Sequence, residues 1–467
     1  MSGGEPQGTD ACGRDAWSVA GPEGTGGGSG AEMGAPSSAA AGVAGDGGRG
    51  PAARPGGDGQ PPAAAAARRL IEHLRSGVPL PPNEPPLTAG RARLLARAGD
   101  LLDTVAAKGS RALALQANYG DGKTHALRTI WHLAAERNFV VSNVVLTRDT
   151  PLDRMDRVYP KLIADTYLPG AAQPGIERLV QGLSPGSAVA LRVLRFAEDN
   201  LHPKLHAVLR NLIDGGSTEA VEPLLRDLAQ LDMGLAEVKR IHRGNFGGTL
   251  KLERFSPQRD VRDYFRLVDF LVSTAGYTGW VVLFDEAELI GRLGRGGRAR
   301  SYANIGRLAT EGMGCAHLAA VFAVASNFYD TVLARRHDAT ASAAWLETRD
   351  PEGAEFCRLG IAALQEAMLL EPLTSGNWLQ MMQALLDAHE TAYHWSSGLT
   401  APAFWQEVQK LSPETDTKLR TRLRVAIQWL DLLMQHGHAP QVRLHSGAYE
   451  VPLQETWADE AAAAQQQ

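Results

Sequence analysis

The chain has 467 residues, with 47 Lys plus Arg against 52 Asp plus Glu, three Cys, 50 Gly and 26 Pro, a length that suits two or three domains. The near balance of charge excludes strong nonspecific attraction to nucleic acid through net charge, though not through a local basic face. Three scattered cysteines, Cys12, Cys315 and Cys357, exclude a disulfide framework and a four-ligand zinc site; no run of about 18 to 20 uncharged apolar residues exists, so a cytoplasmic protein without a membrane span is expected.

Nineteen of the 50 glycines fall in the first 60 positions. A segment this poor in branched and aromatic side chains cannot bury enough apolar area to offset the entropy of ordering it, so residues 1–62 are expected to be disordered. AAAAARRLIEHLRSG then reads as a helix closed by Gly77, and VPLPPNEPPL as an extended connector. Thr88 looks like the N-cap of a second helix running to Gly109, which completes an N-terminal helical segment over 63–110. From 111 to 375 the pattern changes. RALALQAN, NFVVSNVVLT, WVVLFDEAE, HLAAVFAVASN and AMLLEPLT are five apolar runs separated by helical periodicity, the mark of a doubly wound α/β domain with a parallel sheet. Between Asp149 and Gly248 the spacing is helical with no strand signal, and a helical insertion is expected over about 165–250. Residues 376–467 are expected to form a C-terminal helical lid or winged-helix-like region, with QVRLHSGAYEVPL as a small closing hairpin.

Asn118-Tyr119-Gly120-Asp121-Gly122-Lys123-Thr124-His125 lies between an expected strand and an expected helix. Glycines there let backbone N–H groups and a helix N-terminus face phosphate oxygens; Lys123 would reach the β and γ phosphates of ATP, and Thr124 would ligate Mg²⁺. Ala117 stands where a first glycine is usual. WVVLFDEAE ends a strand in two carboxylates, placing Asp285 for the Mg²⁺ shell and Glu286 as the general base for water. The separation of 162 positions between Lys123 and Asp285 is what calls for the insertion. Asn327 follows the fourth strand and is a candidate to orient the water; a turn-forming role is the competing reading. Arg335, Arg336, Arg349 and Arg358 are candidates for an arginine acting across a subunit boundary, and Arg420 with Arg424 for a lid contact, against the competing role of a solvated basic face.

The loop motif, the GYTGWVVLFDEAELI block, ARRLIEHLRSGVPLP (67–81), LTAGR (87–91), DRVYPKLI and the SYANIGRL helix together resemble the ATP-binding proteins of BREX phage-defence systems, P-loop ATPases related to AAA+ proteins. The resemblance spans most of Ala67 to Gln435. It implies an AAA+-like P-loop NTPase fold, ATP and Mg²⁺ as cofactors, and partners among other BREX-type defence proteins, the members that act on DNA. Lys123, Thr124, Asp285 and Glu286 match the family's motif positions. Arg420 falls where the family tends to carry a lid arginine, with Leu419 in place of the usual preceding proline. An ATP hydrolase is the leading expectation; a nucleotide-dependent switch or scaffold and a DNA-binding loader compete with it. Direct DNA contact and a homo-oligomer are candidate modes of action.

Overall fold

Unbroken apolar runs become the central strands of one sheet. In the computed structural model, residues 62–76, 86–107, 109–411 and 419–437 are described, all within the unit Gln60–Gln467. Six strands, β1 (Arg111–Ala117), β2 (Phe139–Val145), β3 (Thr166–Tyr167), β4 (Gly279–Asp285), β5 (Leu318–Ala325) and β6 (Met368–Leu369), lie in the order β3-β2-β4-β5-β1-β6. The five expected strands pair in parallel, while β3 is antiparallel to β2. The register sets Ala117 opposite Ala325 and Val145 opposite Asp285. The C-terminal ends of β1, β2, β4 and β5 therefore share one edge, where open α/β sheets bind their ligands.

Every residue of β4 and β5 is buried, because helices cover both faces. In chain order the first helices are α1 (Pro62–Ser76), α2 (Ala92–Ala106), α3 (Lys123–Glu136) and α4 (Met155–Ala164). The stretch between β3 and β4 folds into α5 (Glu177–Gln181), α6 (Ala188–Asn200), α7 (Pro203–Asp214), α8 (Thr218–Gln230), α9 (Leu235–Phe246) and α10 (Pro257–Thr274). Helices α11 (Arg295–Leu308), α12 (Asp338–Glu347) and α13 (Pro351–Gln365) follow, then α14 (Ser375–Tyr393), α15 (Ala401–Leu411) and α16 (Leu419–His436). Val281, Leu283, Val321 and Ala323 pack under α2 and α3, whereas Val282, Phe284, Phe322 and Val324 meet the larger core of α4 to α13. The alternation is that of side chains along a strand.

The stretch α6 to α9 is tied to α10 by a polar network at full burial. Lys204 Nζ lies 2.8 Å from Asp227 Oδ1, and Tyr264 donates to Asp227 Oδ2 at 3.1 Å. The backbone N–H of Met233 also donates to Oδ1, at 2.8 Å. Each polar atom so paired avoids the cost of an isolated buried charge. A third core joins α1 to α14, α15 and α16 through Ile71, Trp378, Met382, Phe404 and Trp429. Beside it Asp431 accepts from Arg75 at 2.8 Å and from His389 at 3.1 Å, and Trp395 Nε1 donates to His389 Nδ1 at 2.9 Å.

Three sequence expectations change. The region expected to be free of strands contains β3, a two-residue edge too short to leave any periodicity. Of AMLLEPLT only Met368–Leu369 pairs with β1. Thr88 is not an N-cap: α2 starts at Ala92 because Gly90 takes φ +66° and Arg91 is held outside the helix by tertiary hydrogen bonds. The expected hairpin at 441–453 and the segment 1–61 lie outside the described residues.

Candidate functional site

The loop from β1 to α3 turns on two glycines, Gly120 at φ +89° and Gly122 at φ +94°, a backbone region that side chains with a Cβ rarely adopt. Ala117 ends β1 as a buried strand residue, so a methyl group is accommodated where the usual motif has glycine. Helix α3 begins at Lys123 with no side-chain cap. Its first-turn amides, those of Lys123, Thr124 and His125, therefore have no intrahelical partner, as an anion-binding helix start requires. The loop is braced by Asp121, whose Oδ2 accepts from the Asn118 N–H at 3.2 Å.

Thr124 Oγ1 donates to Asp285 Oδ2 at 2.6 Å, joining the start of α3 to the end of β4 across 161 positions. Asp285 is buried, and its Oδ1 accepts from the Glu286 N–H at 2.9 Å. Glu286 stands at φ +60°, a strained backbone for a residue with a side chain and one found at functional turns. Burial, then the charges of Glu288 and Asp285, raise the Glu286 pKa, with Lys123 opposing. Hydroxyl and carboxylate oxygens set this close suit a hard divalent cation such as Mg²⁺.

Lys123 Nζ does not meet Glu286 most closely; it pairs with Glu288 Oε1 at 3.3 Å, both side chains 6% exposed. The Tyr119 ring covers the same ammonium at 4.3 Å from its centroid, and burial with the nearby Glu288 charge pushes the Tyr119 hydroxyl up to about 12. His125 is pushed down to about 4, by burial and then by the charge of Arg91. Asn327 is exposed just past β5, and its carbonyl accepts from Thr331 at 2.6 Å. One residue earlier, the Ser326 N–H donates to Ala117 O at 3.0 Å and ties that strand end to the loop. The Leu419 N–H donates to Gly120 O at 3.2 Å, which brings the start of α16, and so the exposed Arg420, to the loop. Of the other arginines, Arg336 donates to Gly291 O at 2.7 Å, Arg349 stacks on Trp345 and Arg358 pairs with Glu347.

Sequence reasoning missed Glu288, Arg91 and Arg128. Arg91 is buried and donates to Asp121 O at 3.2 Å and to Glu371 O at 3.0 Å, so it clamps the loop from the N-terminal side. A Cβ on Gly122 would lie 3.4 Å from its guanidinium. Arg128, on α3, has its pKa lowered by burial while the charges of Asp165, Tyr167 and Asp285 oppose. Glu288 carried a signal of a kind, being two positions beyond Glu286, but a carboxylate there reads as solvated unless the turn after β4 is known.

A family model described as BREX system ATP-binding protein BrxC/D matches residues 63–183 and 250–446. The interruption between these blocks contains α6 to α9. No curated protein and no solved structure matches the chain. Among the described residues no helix is long and apolar enough to cross a membrane.

Proposed function

The chain belongs to the BREX system ATP-binding protein family, and from that membership we propose that residues 118–125 with Asp285 and Glu286 form the Mg²⁺-ATP site of an AAA+-like P-loop ATPase. The observation that carries this reading is the 2.6 Å hydrogen bond from Thr124 to Asp285. Two residue types suited to one cation meet there from distant parts of the chain, beside a glycine loop and an uncapped helix start. Mg²⁺ would be held by the Thr124 hydroxyl and the Asp285 carboxylate and supplies neutralisation of phosphate charge when bound. The loop amides and Lys123 bind the phosphates. Glu286 takes a proton from water as the water oxygen attacks the γ-phosphorus, and the bond to the β-phosphate oxygen breaks to give ADP and phosphate. A raised pKa suits a base that works near neutrality. Arg420 would close on the γ-phosphate from α16, and Asn327 would help orient the water.

The partners proposed are other BREX proteins, with α6 to α9, which lie between the two matched blocks, contacting one of them or DNA. ATP turnover by the purified protein, measured alone, with DNA and with partner proteins, tests the reading. A rate that exceeds background and rises with DNA or a partner supports an ATP-driven motor or loader. A rate at background under all three conditions contradicts hydrolysis and favours the nucleotide-dependent switch.

A further inference from the structure

We infer that Glu288 is a positioning residue of the nucleotide site: it serves as the counter-ion of Lys123 when no phosphate is present, and nucleotide binds by replacing its carboxylate on that ammonium. This rests on the reading of the loop as a phosphate site. A buried ammonium without an anion is unfavourable, and among the described residues Lys123 forms its ion pair with Glu288, 3.3 Å away with both side chains 6% exposed. The two oxygens of that carboxylate are held differently. Oε2 accepts from the Ala325 N–H at 3.1 Å, which anchors it to the end of β5. Oε1 faces the Lys123 ammonium at 3.3 Å, so the side toward the ammonium is held by charge rather than by the backbone. The cover over the pair is Tyr119, whose ring lies against the ammonium while the residue is 52% exposed. A carboxylate anchored by one oxygen, a cation on its other oxygen and a half-exposed aromatic cover together make an exchange site for an incoming anion.

Glu288→Gln keeps the size and the bond from Ala325 but removes the competing charge. Titration of Glu288→Gln with ATP and ADP should show both binding at least about tenfold more tightly than to wild type, the scale of a close buried charge pair. The nucleotide-free variant should melt lower than wild type, because Lys123 is then unpaired, and its melting temperature should rise more on adding nucleotide. Weaker or unchanged affinity in a folded Glu288→Gln protein overturns the inference, since a merely structural role cannot tighten binding. Should that variant not fold, Glu288→Asp, which draws the charge back by one methylene, must still tighten binding; equal or weaker binding there overturns the inference in the same way. Lys123→Ala separates the two levels. If it binds nucleotide as well as wild type, the phosphate-site reading itself fails; if it loses binding while Glu288→Gln gains none, only the exchange fails.

Discussion

At the scale of single residues, the site depends on where charge is buried. Lys123 is the ammonium of the loop, and it is kept from water by Tyr119 and matched by Glu288. Lys123→Ala should weaken ATP binding by about 2 to 5 kcal/mol, the cost of truncating one partner of a desolvated charge pair; a fluorescent ATP analogue titrated against both proteins checks this, and equal affinities would contradict the assignment. The positions of Lys123, Thr124 and Asp285 were legible in the sequence because a glycine-rich turn and a strand ending in acids each constrain the backbone locally. Glu288 and Arg91 were not. Their roles arise from tertiary proximity: Glu288 reaches back to the Ala325 amide, and Arg91 bridges the carbonyls of Asp121 and Glu371.

Among the elements, two contacts set the architecture that holds the site. Helices α11 and α13 cross backbone to backbone: a Cβ on Gly360 would lie 1.9 Å from Tyr302 O, and one on Gly306 would lie 1.9 Å from Phe356 O. Gly360→Ala must therefore push the helices apart and should destabilise the protein by about 1 to 3 kcal/mol or more, read as a lower calorimetric midpoint. An unchanged midpoint would show that the helices do not pack this closely. The second contact is Asp431 of α16. Burial alone would raise its pKa, but hydrogen bonds from His389 and Arg75 hold it below the ordinary carboxylate range. Its contribution to stability is thus present above roughly pH 4, the ordinary value for Asp, and is lost as pH falls through the lower folded pKa. Asp431→Asn should cost about 1.5 to 3 kcal/mol at neutral pH, the range for hydrogen bonds to charged groups. The difference from wild type should shrink on acidification, measured by urea unfolding across pH; a constant difference would contradict the assignment. The long strands were legible because each is a continuous apolar run. Strand β3 and the true start of α2 were not, since a two-residue pairing and a tertiary clamp on Arg91 leave no mark in local propensity.

For the whole molecule, the question is whether one chain completes the site. Arg336, Arg349 and Arg358 are each engaged within the chain, whereas Arg335 is exposed and no hydrogen bond or ion pair of its side chain is found among the described residues. If a neighbouring copy supplies an arginine to the developing phosphate charge, Arg335 is, of these four, the one free to do so. Arg335→Ala should then retain ATP binding and lose turnover, and mixing it with Glu286→Gln should restore part of the rate, because one interface can combine an intact arginine with an intact base. A mixture that co-assembles and stays inactive would contradict a shared site. Hydrolysis as proposed turns on Glu286, and the most direct measurement is phosphate release from bound ATP by Glu286→Gln and wild type, with nucleotide affinity measured in parallel. A general base at Glu286 predicts affinity close to wild type and release slowed by about 10² to 10⁴-fold, the range for loss of such a base; release at the wild-type rate would contradict it.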